Sequence, residues 1–336
     1  MQTRTHTSDP QAHARLSVAP MMAWTDRHCR YLHRLMSRHT LLYTEMVTAA
    51  AVVHGDRDRI LTFDAVEHPV ALQLGGADPR MLAAAACIGA EYGYDEINLN
   101  VGCPSDRVQS GCFGAVLMTD PPLVARCVSA MIDACSAQVT VKCRIGVDNQ
   151  VPETALPRFL ECIATAGVRR VIIHARKAWL RGLSAKENRT IPPLDHGLVY
   201  QMKRDFPNLH LSMNGGIGSL AEAQNHLNAG MDGVMIGRAA YHTPFDILSH
   251  ADQTIFGQPA PFDTPEHVVH AMLPYIEAHV AKGGRLHHIT RHMLGLFAGR
   301  PGARAWKHQL SRGAHQNNAG AAVVEAALEN ATRHAA

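Results

Sequence analysis

Short runs with the apolar alternation of β-strands repeat along the chain, separated by longer stretches with helical spacing or loop chemistry. Eight such runs occur, at residues 16–19, 41–44, 70–74, 96–100, 139–143, 171–174, 209–214 and 233–236. Helices are predicted between them at 27–37, 79–92, 121–135, 153–166, 197–205 and 219–229, while the interval after the second run is too irregular to assign. Alternating βα units of this number predict an α/β fold, a closed parallel (β/α)8 TIM barrel whose strand ends face one mouth.

Prolines and glycines punctuate the chain after the last run. Pro244, Gly257, Pro259, Pro261 and Pro265 mark a boundary, and the spacing beyond them predicts helices at 266–281, 286–296, 303–310 and 321–335. We therefore expect a flexible N-terminal tail at 1–15, a barrel at 16–245, and a linker with an appended C-terminal all-α helical domain at 246–336.

The composition is that of a water-soluble protein, with 46% hydrophobic and 18% charged residues. No apolar run approaches the roughly 20 residues of a membrane helix, and residues 1–15 lack the apolar segment of a secretion signal. We expect a cytoplasmic protein that acts as a monomer. The eight cysteines contain no CxxC pair and the 22 histidines no HExxH pattern, so neither a disulfide framework nor a metal site is expected. Nearly all the histidines are interpreted as surface and helix-end residues.

Basic residues are concentrated in two stretches, although the formal net charge is only +3. The first stretch, residues 281–312, contains no Asp or Glu. The second stretch, residues 169–189, contains a single acidic residue, Glu187. The basic residues are Lys282, Arg285, Arg291, Arg300, Arg304, Lys307 and Arg312 in the first stretch, and Arg169, Arg170, Arg176, Lys177, Arg181, Lys186 and Arg189 in the second. With Trp306 as a stacking surface, this distribution favours an RNA partner over a plain solvated face.

Chemically useful side chains stand at the predicted strand ends, where parallel α/β folds place their active sites. The fourth run stops at Gly102 and Pro104, so Cys103 is presented from a tight turn. Glycine-rich turns follow the seventh and eighth runs, at 214–216 and 237–238, and such turns expose backbone N–H groups that bind a phosphate.

A flavin mononucleotide in the mouth would give the other strand-end residues a role. Gln73 can bond the pyrimidine edge of the isoalloxazine, Lys142 can stabilise the anionic reduced flavin near N1 and O2, and residues 20–22 can form an apolar wall. The apolar residues around Lys142 favour a lysine that points into the mouth over one that faces solvent. His174 is either a flavin or phosphate contact or a plain strand-end residue.

These motifs are similar to those of the tRNA-dihydrouridine synthases, and the resemblance covers nearly the whole chain. The matching segments are 20–22 with Thr25 and Asp26, 71–74, 98–104, 141–144, 173–176, 214–217 and 236–238. Segments 25–30, 44–49 and 186–189 resemble the bacterial A-type branch specifically. Ala23 departs from the pattern, since relatives commonly carry an acidic residue there.

The resemblance implies a barrel that binds FMN, reduction of the flavin by NADPH, and conversion of uridines 20 and 20a of the tRNA D-loop to 5,6-dihydrouridine. Hydride would pass from reduced FMN to C6 of the uracil, and Cys103 would give the proton to C5. The implied flavin contacts are Pro20, Met21, Met22, Gln73, Lys142, His174, Asn214, Gly215, Gly216, Gly237 and Arg238. The implied tRNA contacts are Asn100, Lys186, Arg189, Arg304 and Lys307, with Arg144, Arg176 and Arg300 placed more loosely.

Two other functions remain open from the sequence. A barrel flavoenzyme that reduces a free pyrimidine or an enone explains the mouth residues but not the basic helical segment. A non-redox RNA-binding protein on a barrel scaffold explains the basic stretches but makes Gln73, Cys103, Lys142 and the glycine turns coincidental. A flavin spectrum tests the second, and activity on free uridine tests the first.

Overall fold

The computed structural model describes residues 13–105, 108 and 111–333. Its eight parallel strands form one sheet in the order β1-β8-β7-β6-β5-β4-β3-β2. The N–H of Leu41 donates to the carbonyl of Leu16, and the N–H of Val18 donates to the carbonyl of Leu41. These bonds join the two ends of the sheet, so the predicted barrel is confirmed. The strands are β1 Leu16–Val18, β2 Leu42–Thr48, β3 Val70–Gly75, β4 Glu96–Val101, β5 Gln138–Arg144, β6 Arg170–His174, β7 His210–Asn214 and β8 Gly233–Ile236. Of the predicted N-terminal tail, residues 1–12 lie outside the described residues.

Helices alternate with the strands and continue beyond the last one. In the described part of the chain they are α1 Arg27–Met36, α2 Ala49–His54, α3 Arg57–Leu61, α4 Pro79–Glu91, α5 Pro121–Ala134, α6 Pro152–Thr165, α7 His196–Asp205, α8 Leu220–Asn228, α9 Arg238–His242, α10 Pro244–Leu248, α11 Ala251–Phe256, α12 Pro265–Ala281, α13 His287–Met293, α14 Ala303–Gly313 and α15 Ala321–Arg333. Among these helices, none is both long enough and apolar enough to cross a membrane.

Capping chemistry explains why the long helices start where the sequence predicts. The side chains of Asp78, Asp120 and Thr264 accept hydrogen bonds from backbone N–H groups of the first turn, and each precedes a proline at the first helical position. Asp26 caps α1 in the same way. These signals are local, so they can be read without knowledge of the fold.

The structure differs from the prediction in two intervals. The irregular interval after β2 contains α2 and α3, which are too short to show a helical period. The punctuated stretch after β8 contains α9, α10 and α11, and its prolines and glycines limit helices rather than exclude them: Pro244 starts α10, and Gly257 ends α11 in the left-handed conformation at φ 65°. The domain boundary placed at 245/246 stays a prediction.

The C-terminal helices pack on α1, at the side of the barrel. Tyr275 of α12 stacks on Tyr31 with ring centroids 3.9 Å apart, and its hydroxyl lies 2.8 Å from Nδ1 of His28. On α13, Arg291 donates to Oδ2 of Asp26, and Nε2 of His292 lies 3.0 Å from Oδ1 of the same carboxylate.

These contacts correct the interpretation of the histidines. His28, His33, His210, His226 and His292 are buried, so several histidines are interior residues rather than surface ones. An imidazole with an aromatic or carboxylate partner satisfies its polar nitrogens while its ring packs like an apolar group, and such partners are remote in sequence.

Candidate active site

A cavity of about 1140 Å³ opens at the carboxyl ends of the strands. It is lined by all the residues predicted to contact a flavin, and also by Cys103, Asn100, Arg144 and Arg189. Each of the eight strands contributes a lining residue at its carboxyl end or in the turn that follows. The barrel topology therefore brings together side chains that are more than 200 positions apart, as between Met21 and Arg238.

The backbone of Cys103 is fixed from both sides. Its N–H donates to Oδ1 of Asn100 at 2.9 Å, an oxygen that also accepts from the N–H of Gly102 at 3.0 Å. Its carbonyl accepts from the N–H of Ala115 at 2.9 Å. The thiol is 3.4 Å from the Ser105 hydroxyl and lines the cavity. The turn therefore holds the thiol at a set position against whatever the cavity binds.

Lys142 presents a cation inside the barrel. Its Nζ donates to Oδ1 of Asn214 at 3.0 Å, and Nδ2 of Asn214 donates to the carbonyl of Met235 at 2.7 Å. Burial, reinforced by the charge of Arg144, lowers the pKa of Lys142 to about 8. The ammonium predominates at neutral pH but is poorly stabilised by the protein, so an anionic group beside it would be favoured.

His174 is a neutral imidazole at neutral pH. Burial and the charges of Arg144, Lys142 and other nearby cations hold its pKa well below the usual range. Its ring lies against the turn after β7, where Gly215 and Gly216 have φ of 109° and 80°. A Cβ on Gly215 would come within 2.5 Å of Cδ2 of His174, and one on Gly216 within 2.4 Å of Leu194. Both positions require glycine, because the backbone of the turn passes directly against the His174 ring and Leu194.

Two arginines add positive charge beside this turn. Arg189 and Arg238 both line the cavity, and Nη2 of Arg238 is 3.5 Å from the carbonyl of Arg189. Burial and the charge of Arg238 lower the pKa of Arg189. Cations that disfavour each other in this way are stabilised by a bound anion, so the region suits a phosphate.

The loop after β6 forms one wall of the mouth and is organised by Asn188. The fully buried Asn188 accepts from the N–H of Trp179 at 2.7 Å and donates to the carbonyls of Trp179, Leu183 and Ser184. The carbonyl of Asn188 accepts from Arg144 at 2.8 Å. The loop thereby presents Trp179, which is 38% exposed and has Nζ of Lys177 5.2 Å from its ring centroid.

The residues predicted to bind tRNA do not form one group. Asn100, Arg144 and Arg189 line the cavity, whereas Lys186 is exposed on the loop, and Arg176 is held by the carbonyl of Pro192. Arg144 is buried and donates to the carbonyls of Gly102, Lys177 and Asn188, so it joins the Cys103 turn to the loop.

The remaining three lie on the C-terminal helical segment. Arg304 and Lys307 are exposed along α14, where they line a shallow depression of about 580 Å³ with His308 and Arg312. Arg300 is paired with Asp246 at 2.8 Å and covers the ring of Phe245.

Trp306 is not a stacking surface, so that expectation is wrong. It is fully buried, packs on Phe297, and donates from Nε1 to the carbonyl of Met293 at 2.9 Å. Its position between basic residues reflects helical periodicity: Arg304 and Lys307 lie on the outer face of α14 and Trp306 on the inner one.

Several residues that line the cavity were not predicted from the sequence. These are Met46, Thr48, Phe113, Met235, His242 and Thr243. The strand signal around Met46 ends too early, at Thr44, because the continuation of β2 opens with the charged Glu45 and is only partly buried. Trp179 was also missed, although an exposed tryptophan between basic residues is a recognisable signal.

A solved structure shares this barrel. The old yellow enzyme homologue from Zymomonas mobilis superposes with a TM-score of 0.52 at 12% identity, over 76% of this chain and 92% of that one. At this identity the likeness shows the fold alone. The fold and the site define a (β/α)8 barrel with a thiol, a half-buried lysine and a glycine cradle, formed by Gly215 and Gly216, at one mouth.

The chain belongs to the dihydrouridine synthase family, whose family model matches residues 17–332. Among similar proteins, the tRNA-dihydrouridine(20/20a) synthase of Salmonella typhi is 58% identical over 98% of both chains. The proteins of that name from Shewanella oneidensis and Escherichia coli (strain K12) are 57% and 58% identical, over 94% of this chain and 93% and 91% of theirs. The resemblance described from the sequence motifs is confirmed.

Proposed function

We propose that this protein uses FMN to reduce the C5=C6 bond of uridine to 5,6-dihydrouridine in the tRNA D-loop, at positions 20 and 20a. One observation carries the proposal: a thiol, a half-buried lysine and a glycine cradle converge on a single cavity at the barrel mouth. The names of the similar proteins support both the reaction and the two positions.

The residues present fit a flavin phosphate and ring. Gly215 and Gly216 line the cavity with backbone that carries no side chain, and Arg238 beside them supplies positive charge for a phosphate. Gln73, Lys142 and His174 would hold the ring from three strands, and the other cofactor contacts would be Pro20, Met21, Met22, Asn214 and Gly237.

Bound FMN would supply the hydride that C6 of the uracil receives. Cys103 then gives its thiol proton to C5, which is general acid catalysis from a positioned group. The Asn100 side chain and the N–H of Ala115 keep the turn still while the proton moves. Lys142 would stabilise negative charge on a flavin ring held beside it.

The substrate must reach this site as a base turned out of the RNA stack, which costs a few kcal/mol. Exposed cations at the mouth and on α14 can offset that cost by holding phosphates outside the cavity. Lys186 and Arg189 serve the first region, and Arg304 and Lys307 the second. Arg144, Arg176 and Arg300 are engaged by protein groups and support these surfaces instead.

The proposal is tested with tRNA that lacks the modification. The purified protein, loaded with FMN and given NADPH, is expected to form dihydrouridine that maps to positions 20 and 20a, as a monomer in solution. A protein that binds FMN and oxidises NADPH but reduces only free uridine would contradict the tRNA substrate. Product at other positions would contradict the assignment to 20 and 20a.

A further inference from the structure

A series of buried side chains, joined by hydrogen bonds, crosses the barrel interior. It runs from the closed end of the barrel, opposite the cavity, to the turn that bears Cys103. At the closed end Glu96 pairs with Arg170, and it also accepts from the hydroxyl of Tyr43. The Thr140 hydroxyl donates to Oε1 of Glu96 at 2.6 Å, and Nδ2 of Asn98 donates to Oγ1 of Thr140 at 2.8 Å.

The series continues through two more side-chain amides to the mouth of the barrel. Nε2 of Gln73 donates to Oδ1 of Asn98 at 2.8 Å, and Nδ2 of Asn100 donates to Oε1 of Gln73 at 2.8 Å. Oδ1 of Asn100 then accepts from the N–H groups of Gly102 and Cys103. Glu96, Thr140, Asn98 and Gln73 are all at most 3% exposed.

The groups at the two ends of this series set the direction of every hydrogen bond within it. A carboxylate offers only acceptors, so Thr140 must donate to Glu96. A backbone N–H offers only a donor, so Asn100 must turn its oxygen toward Cys103 and its NH₂ toward Gln73. Reversing the amide of Asn98 or Gln73 would place two donors or two acceptors opposite each other inside the barrel. Each buried group left without a partner costs about 1–3 kcal/mol of stability.

We infer that Asn98 and Thr140 are positioning residues, which hold from the Glu96–Arg170 end the orientation of Gln73 that Asn100 holds from the turn that bears Cys103. Neither residue lines the cavity. They fix the orientation of the Gln73 side-chain amide, with Nε2 toward Asn98 and Oε1 toward Asn100. One N–H of Nε2 and one lone pair of Oε1 are then left for a ligand. Such a pair matches a ring edge with adjacent carbonyl and N–H groups, so the inference rests on the proposed function for the identity of that ligand.

Thr140→Val is the direct test, because valine keeps the shape and removes the hydroxyl. Thr140→Ser keeps the hydroxyl and is the matched control. Ser212→Ala is a second control, since Ser212 is a buried barrel hydroxyl on β7 without a hydrogen-bond partner among the described residues. For each protein we would measure the affinity for FMN, the visible spectrum of the bound flavin, the rate of flavin reduction by NADPH, and the rate of reoxidation by tRNA.

The expected result is about tenfold weaker FMN binding for Thr140→Val, the equivalent of one well-placed hydrogen bond, with a shifted flavin spectrum. Reoxidation by tRNA should slow by at least about tenfold while reduction by NADPH stays within about twofold. Thr140→Ser and Ser212→Ala should match the unaltered protein. Thr140→Cys, which keeps a weaker donor, should show a smaller loss in the same direction and replaces Thr140→Val if valine prevents folding.

A purely structural role gives a different result. Thr140→Val would then unfold at lower temperature but keep the FMN affinity, the spectrum and the tRNA-dependent rate, and this would overturn the inference. If the unaltered protein forms no dihydrouridine, the proposed function fails. The FMN affinity and the spectrum still decide the inference in that case, because neither depends on the tRNA reaction.

Discussion

Cys103 has a fixed backbone and a thiol that faces the cavity. Asn100 Oδ1 and the N–H of Ala115 hold its peptide groups, so the thiol can be exchanged for another group without loss of the turn. Changes in chemistry at this residue can therefore be separated from changes in fold.

Cys103→Ala should bind FMN and oxidise NADPH like the unaltered protein but form dihydrouridine about 10²- to 10⁴-fold more slowly, the usual contribution of a positioned acid. Single-turnover product formation with tRNA measures this. Cys112→Ala is the control, because Cys112 is exposed, and it should be fully active. Normal product yield from Cys103→Ala would remove the acid role.

Lys142 gives the stability of the FMN-free protein a distinctive pH dependence. Its pKa is about 8 in the folded protein, against 10.5 for an ordinary exposed lysine, so between these values the unfolded chain binds more protons and stability rises with pH. Urea titrations at pH 7 and pH 10 should show a rise in unfolding free energy that is about 2 kcal/mol larger for the unaltered protein than for Lys142→Met. Equal rises would show that Lys142 is not held in a disfavoured charged state.

At the scale of elements, the turn after β7 is built for a ligand. Gly215→Ala should weaken FMN binding by at least about tenfold, because the new Cβ displaces His174. Gly230→Ala is the control that separates the effect of a steric clash from the effect of backbone strain. Gly230 has φ 96° and no described atom within 4 Å of an added Cβ, so it should lose about 1 kcal/mol of stability and keep its FMN affinity, measured by fluorescence titration. Equal effects on FMN would contradict the cradle.

Some features of the site could be predicted from the sequence, and others depend on the folded structure. Strand ends such as Gln73 and Lys142 were predictable because the order of strands places them at one mouth. Asn188 was not, because its four partners lie in a loop whose shape arises from those same hydrogen bonds. The buried position of Trp306 depends on which face of α14 meets Phe297, and a short helix rich in basic residues does not reveal this.

On the scale of the whole molecule, Asp26 joins the barrel to the C-terminal helices. Burial opposes its ionisation, but hydrogen bonds from His292, Cys29 and Arg291 and the nearby positive charge hold its pKa well below the usual range. Its stabilising effect is present above the ordinary aspartate pKa and is lost as pH falls toward the depressed value.

Asp26→Asn should therefore lower the unfolding free energy at pH 7 by about 1–3 kcal/mol, and the difference from the unaltered protein should shrink below about pH 4. Urea denaturation across this range measures both. Asp246→Asn removes the exposed pair with Arg300, in which Asp246 is 47% exposed, and should cost under about 1 kcal/mol. A pH-independent difference at Asp26 would contradict the ionic contact.

The exposed face of α14 should contribute to RNA binding through charge alone. Arg304→Glu with Lys307→Glu should weaken tRNA binding at low salt by at least about tenfold and reduce the slope of log affinity against log salt by about one to two. Fluorescence anisotropy at several salt concentrations measures this. Arg158→Glu reverses an exposed charge on α6 and serves as control. Unchanged low-salt affinity would remove α14 from the interface.

The first strand of the barrel has its ladder partner in the last strand, since Leu16 pairs with Val234 and Val18 with Ile236. A ribosome adds about 5 to 20 residues per second, so β1 waits on the order of tens of seconds before its neighbour exists. Throughout that time its apolar residues have no native partner strand on that side. The edge of β1 that β8 covers is therefore unpaired until the last strand of the barrel has been made.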